Sequence, residues 1–311
     1  MWRDIKRNDL GPLSNLNESF LAAQLSDSAI FPDLSGSRDL LIASDYSGSH
    51  SESHFDVYSF LIVTPSMLTQ WEPYRIDVRL RLGLERIMAF KSLNDKRRQA
   101  VLKDFLLIAG RLPGLSVSVI VDKKVGTLFD SLGSPEGLEQ PVAGWKPGVV
   151  ERVLRVTHLL GFLIAGLSVP MQDIYWFTDQ DDIAPNEARL RDLTSLLANV
   201  ASHLLRHNLG HLRCGTTGND SGTKQLEDFV AIPDLVAGAL SEVAARGGIP
   251  DGSLITPKPS LSSQKTRALM NWFSDPGLHL RRIVMQIQAV EGSRALRTRR
   301  LRFHGSCGPV V

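Results

Sequence analysis

Four aspartates in this chain stand at the ends of apolar runs or inside one. Asp45 follows LLIAS, Asp122 ends LSVSVIVD and Asp179 follows IYWFT. Asp234 stands in LEDFVAIPDLVAGAL, seven residues after Glu227. Carboxylates at neighbouring strand ends repel one another in apolar surroundings and are tolerated together when a hard cation sits between them. Mg²⁺ takes oxygen ligands and keeps several waters, so a few such carboxylates can hold one or two ions. Two ions of this kind activate water and stabilise the leaving oxygen in phosphodiester hydrolysis. Each aspartate also has a second reading. Asp45 before Tyr46-Ser47-Gly48 can close an Asx-turn, and Asp122 before Lys123 and Lys124 can form a surface ion pair. Asp234, directly after Pro233, can favour the first-turn dipole of a helix that restarts there.

Other residues extend or limit this chemistry. Lys91, in FKSLND, can contact a phosphate as a point charge or snorkel at the surface. His203, His207 and His211 recur every four residues, a spacing that suits zinc. No acidic or cysteine partner is placed to complete such a site, and Gly210 ends the helix before His211, so a solvated helix edge is the competing reading. Seven arginines crowd the C-terminal end: Arg281, Arg282, Arg294, Arg297, Arg299, Arg300 and Arg302. They form either a phosphate-facing patch or a solvated surface. The chain contains no GxxxxGK[ST] loop, no GxGxxG after a strand, no HExxH and no GxSxG.

The elements that must position these residues follow from the hydrophobic period. DLLIAS (39–44), DVYSFLIVT (56–64), LSVSVIVD (115–122), DIYWFT (173–178) and HLRCGT (211–216) read as strands. Residues 66–111, 149–167, 186–210 and 226–246 carry helical spacing, with Asn94 and Asn186 as N-caps and Pro233 dividing or kinking the last helix. GSPEGLEQPVAGWKPG (133–148) is a loop by composition and 247–264 a linker. KTRALMNWFSDPGLHLRRIVMQIQ reads as a last helical segment or two, and RTRRLRFHG has the pattern of a terminal strand. Strands alternating with helices indicate an α/β sheet covered on both faces.

Composition sets the outer bounds. The chain has 311 residues, 43% of them hydrophobic and 22% charged, with a formal net charge of +2 and 2 cysteines. Such a chain can bury a core without disulfide staples, and Cys214 and Cys307 lack metal-ligand spacing, so a reducing cytoplasm is the expected compartment. No secretory h-region is visible near the N-terminus. The longest apolar run, LLGFLIAGLSV at 159–169, is too short to cross a bilayer, so no membrane partner is expected. It suits a core helix or the interface of a homodimer.

Taken in order, LIASDYSGSH…YSFLIV, RIMAFKSLNDKRRQAVLKDFL, VSVIVDKK, IYWFTDQDDIAPN and LEDFVAIPDLVAGAL resemble the uncharacterised bacterial family called domain of unknown function 3800, over residues 39–242. The resemblance implies an RNase H-like fold: a mixed five-stranded sheet with helices on both faces, spanning 37–246. Residues 1–36 would form a leader outside the main core, and 247–311 a linker and basic C-terminal extension. Where the family has a glutamate beside its first aspartate, this chain has Tyr46. The resemblance implies a nuclease in which Asp45, Asp179 and Asp234 hold Mg²⁺ or Mn²⁺, with Glu85 or Asp122 completing the shell. Lys91 would assist at the scissile phosphate, and Arg281, Arg282, Arg297, Arg299 and Arg300 would bind the DNA or RNA backbone. Two other readings stand beside it. One is a catalytically inactive module on the same fold that binds nucleic acid or a partner protein, in a defence or mobile-element setting. The other is a hydrolase for a small phosphorylated molecule, which needs a closed pocket.

Overall fold

The computed structural model describes the chain apart from residues 8, 50–52, 130–141, 143, 221, 248–253, 256–262, 294 and 304–311. His50, His304, Cys307, Arg294 and most of the 133–148 loop and the 247–264 linker therefore lie outside the described residues. In chain order the elements are α1 (Leu13–Ser26), β1 (Asp39–Ser47), β2 (Phe55–Val63), α2 (Pro65–Leu82), α3 (Lys96–Gly110), β3 (Leu115–Asp122), α4 (Pro147–Leu167), β4 (Asp173–Thr178) and α5 (Glu187–Leu204). There follow β5 (Leu212–Thr216), α6 (Gln225–Gly247), β6 (Leu254–Ile255), α7 (Gln264–Ser274), β7 (Arg281–Ala289) and β8 (Leu296–Phe303).

Seven strands form one mixed sheet in the order β5-β4-β1-β2-β3-β7-β8, and the two-residue β6 adds to the outer edge of β8. The α/β class is as expected, but the expected five-stranded sheet is too small. β7 pairs parallel with β3, and β8 pairs antiparallel with β7. IVMQI in β7 lies within a segment read as helical at the sequence level. Its five residues are buried from both sides, and such a run does not by itself tell a core strand from a helix.

Both faces of the sheet are covered, which is why β2 and β3 are buried almost end to end instead of on alternate residues. One face packs on α1, α4 and α5 through residues such as Leu40, Ile42, Phe60, Phe162 and Leu197. The other packs on α2, α3, α6 and α7 through Ala43, Leu61, Ile120, Phe105 and Leu235. The apolar half of α4 belongs to the first of these cores: Leu159, Leu160, Phe162, Leu163 and Ile164 are all buried there. The monomer core thus accounts for the run that also suited a dimer interface. No helix among the described residues is long and apolar enough to cross a membrane.

The leader is part of this core. Trp2, Leu13, Leu16 and Phe20 are buried, and the Trp2 ring lies 4.6 Å from that of Phe20 and 4.8 Å from that of Phe162 in α4. The Trp2 indole N–H donates to Asn17 at 3.0 Å. Polar composition hid this, because a few large aromatic residues anchor an otherwise hydrophilic segment.

Candidate functional site

The site begins with strand register. β1 and β4 run parallel and pair from Asp39↔Asp173 to Ser44↔Thr178, so the next residues, Asp45 and Asp179, follow the last rung on adjacent strands. Adjacent strands lie about 4.8 Å apart. Asp45 pairs with Ser59 of β2, and Ser59 with Ser118 of β3, whose hydroxyls share a 2.8 Å hydrogen bond. Asp45 therefore lies inside β1, two residues from its end, in a polar row on the face that α6 covers.

Helix α6 supplies the opposing carboxylates. It runs continuously through Pro233, so of the two expected outcomes, kink or division, the division does not occur, and Glu227 and Asp234 stay two turns apart on one face. Asp234 is hydrogen-bonded to Asp45 and also accepts the backbone N–H of Phe90 at 2.6 Å. Burial first, then the charges of Asp234 and Asp179, push the Asp45 carboxyl well above the usual carboxylate range. Burial also raises Asp234, against the lowering effect of the Phe90 N–H and of the Asp45 hydrogen bond. Of the two, Asp45 is the carboxyl pushed further toward the protonated form, as the hydrogen-bond donor of the pair would be.

Asp179 faces the same space. Its Oδ1 accepts from the Thr217 hydroxyl at 2.7 Å and from the Gln180 N–H at 2.8 Å, which fixes the carboxylate between the ends of β4 and β5. Asp45, Asp179 and Asp234 line one cavity of about 270 Å³, together with Glu227 and Glu85. Burial raises the Glu227 carboxyl; Lys224 opposes that rise and the Asp179 charge adds to it. Two cations, Lys91 and Arg98, stand on the same lining.

A buried ionic network aligns α6 with this cavity. Asp228 accepts from Arg75 Nη1 at 2.8 Å and from Arg79 Nε at 3.0 Å, and it makes a further contact with Arg79 Nη2. Arg75 also donates to Glu72 at 2.6 and 2.7 Å and to the Thr223 carbonyl at 2.8 Å. The side chains of Arg75, Arg79 and Asp228 are each no more than 3% exposed. Such charges are retained only when paired and hydrogen-bonded, so the network locks the first turn of α6 against α2.

The structure separates other residues that the sequence reading grouped with the site. Asp122 does not line the cavity. Its Oδ1 caps a short turn by accepting the Lys124 N–H at 2.9 Å, and β2 lies between its strand and β1. The expected arginine patch is also divided. Register puts Arg297 and Arg299 at the sheet end where Asp45 and Asp179 lie, and Arg299 on the face that Asp45 occupies. Arg281 and Arg282 lie at the opposite end, beside Leu115 and Ser116. Arg300 reaches toward Ser26 of α1 at 3.5 Å, on the other face. The three histidines find three different partners: His203 meets Asp9 at 2.6 Å, His207 meets Ser168 at 3.0 Å and His211 meets Asp173 at 3.1 Å. They share no zinc site.

Three site features escaped the sequence reading. The Glu227–Asp234 spacing is a usable signal, but it puts both on one face only if the helix passes unbroken through Pro233, as it does. Arg98 and the Phe90 N–H had none, because both come to the cavity through the chain path between α2 and α3. Among the described residues, no three His, Cys, Asp or Glu side chains are already gathered as a metal-holding group. No protein-family model and no curated protein matches the chain.

Proposed function

We propose that this protein is a metal-dependent phosphodiester hydrolase acting on nucleic acid. The observation that carries the reading is the Asp45–Asp234 pair, half-buried on the cavity wall and in hydrogen-bond contact, with Asp179 on the same cavity. Two carboxylates cannot both ionise in such a place without a cation. The donors are all oxygen, which fits Mg²⁺ or Mn²⁺ and not a softer metal. Mg²⁺ is commonly held by one or two carboxylates plus water and substrate phosphate, so a preassembled set of three acids is not required.

In this reading Asp45 and Asp234 would hold the ion, with Asp45 in its ionised form. Asp179, already fixed by Thr217 and Gln180, completes the chain's contribution through water or directly. A bound Mg²⁺ or Mn²⁺ would supply charge stabilisation at a phosphoryl group and lower the pKa of a water there. Glu227, with its carboxyl raised by burial, is placed to take a proton from water in the cavity. Lys91, Arg98 and Glu85 line the same cavity, and the two cations would face a phosphate bound there. An RNase H-like relationship is part of the same proposal.

A second reading has one observation in its favour. The Asp45–Asp234 hydrogen bond satisfies the pair without any ion, which suits an inactive module that binds nucleic acid or a partner protein. Calorimetric titration of Mg²⁺ or Mn²⁺ separates the two. The hydrolase reading expects binding in the wild type that Asp45→Asn abolishes, and Mn²⁺-dependent cleavage of single- or double-stranded DNA or RNA. Equal or absent binding in both proteins would refute it.

A further inference from the structure

The wall of the cavity opposite the strand ends is the segment between α2 and α3. It contributes Glu85, Ile87, Met88, Ala89, Lys91 and Ser92. Little of it is regular structure. The chain leaves α2 at Gly83, whose φ of 104° suits glycine, and makes only a 3-10 turn at Phe90–Ser92 before Asp95 caps α3. A segment with so few internal hydrogen bonds must be held from outside if it is to present a fixed surface.

Three basic side chains from three helices do this through its carbonyls. Arg79 of α2 donates to the Arg86 carbonyl, Arg98 of α3 to the Ile87 carbonyl at 2.7 Å, and Lys265 of α7 to the Phe90 carbonyl at 3.1 Å. Lys265 also stands 4.2 Å from the centroid of the Phe90 ring, within cation–π range. The ring also rests on α6 at Gly238, where a Cβ would stand 2.7 Å from Phe90 Cβ and closer still to Cγ and Cδ1. Gly238 is one helical turn after Asp234, so seating the ring there brings the Phe90 N–H to the Asp234 carboxylate.

We propose that Lys265 is a positioning residue: it clamps Phe90 against Gly238 and so delivers the Phe90 N–H that orients Asp234. The inference rests on the role given to Asp234 above, and it makes the C-terminal segment carrying α7 a working part of the site. Arg79 and Arg98 hold the same wall one and two residues after Glu85. Within the turn, the Ser92 N–H donates to the Ala89 carbonyl, the Leu93 N–H to the Phe90 carbonyl and the Asp95 N–H to the Ser92 carbonyl.

Amide hydrogen exchange of the full chain tests this without reference to activity. In Lys265→Met, amides of residues 88–93 should exchange roughly tenfold faster while peptides in β1 and β4 keep wild-type rates, since a local opening leaves the core intact. Lys265→Arg, which keeps both the donor and the cation over the ring, should restore slow exchange. Mn²⁺ affinity should fall in Lys265→Met and recover in Lys265→Arg. Wild-type exchange at 88–93 in Lys265→Met, or an equal rise across the whole chain, overturns the proposal. Exchange behaving as expected in a protein that binds no Mn²⁺ would sink the metal reading alone and leave the clamp standing.

Discussion

Replacing Gly238 by alanine sets two effects of known size against each other. In a helix interior alanine is favoured over glycine by about 1 kcal/mol. On propensity alone Gly238→Ala should therefore stabilise α6 by that amount. The structure predicts otherwise, because the new Cβ would stand 2.7 Å from Phe90 Cβ and nearer the ring. The ring cannot swing aside freely, since its backbone is held by Asp234 at 2.6 Å and by Lys265 at 3.1 Å. Overpacking of this kind costs about 1–3 kcal/mol. The net change in the wild-type background is then from neutral to about 2 kcal/mol destabilising. In a Phe90→Gly background, which removes the Cβ as well as the ring, the obstruction is gone and the same substitution should stabilise by about 1 kcal/mol. The coupling between the two sites, about 1–3 kcal/mol, is the clash itself, and urea unfolding of the four proteins measures it. Equal stabilisation by Gly238→Ala in both backgrounds would refute the seating of Phe90 on α6.

Three further outcomes are expected. Asp45→Asn should raise the thermal stability of the metal-free protein at neutral pH. The Asp45 carboxyl is held well above its ordinary value, so the folded state binds more protons than the unfolded one, and stability is lost as pH rises through the raised value. The gain should shrink toward pH 4, and a gain independent of pH would contradict the assignment. Asp228→Ala should destabilise by about 3–5 kcal/mol, because it leaves two buried guanidinium groups without their shared carboxylate; a loss under 1 kcal/mol in urea unfolding would show the network to be dispensable. If nucleic acid crosses the sheet end that carries Asp45, Arg297→Gln and Arg299→Gln should each lower the salt dependence of binding by about one counterion, whereas Arg281→Gln should not.

Most strands were legible because their runs are apolar and short, and local sequence decides that much. LSVSVIVD and DIYWFT appear in the structure with the bounds read from the sequence, and DLLIAS extends only to Ser47. β7 was not legible, since a strand buried on both faces has no period of two to distinguish it. The α6 helix was misjudged at Pro233: a proline weakens a helix locally, but burial of Phe229, Ile232, Leu235 and Val236 against the sheet outweighs that cost. Trp2 and Phe20 show the same limit at the other end of the chain, where anchoring depends on a partner helix that begins at Pro147.

By itself the sequence determined that carboxylates would stand at or near the ends of strands, because an acidic residue directly after a buried run marks where that run stops being apolar. It determined the α/β layering and the absence of phosphate-loop and nucleophile-elbow motifs for the same local reasons. Only the tertiary structure decided which carboxylates meet. Asp122 ends its strand much as Asp179 follows its own, yet β2 separates it from β1, while β4 was drawn from over a hundred residues away to lie beside Asp45. Strand order is a property of how whole layers pack, and no spacing along the chain encodes it. The wall of the cavity is the sharper case. Its position depends on cations from three helices and on one glycine that leaves room for a ring, and each of those residues looks ordinary until the others are in place.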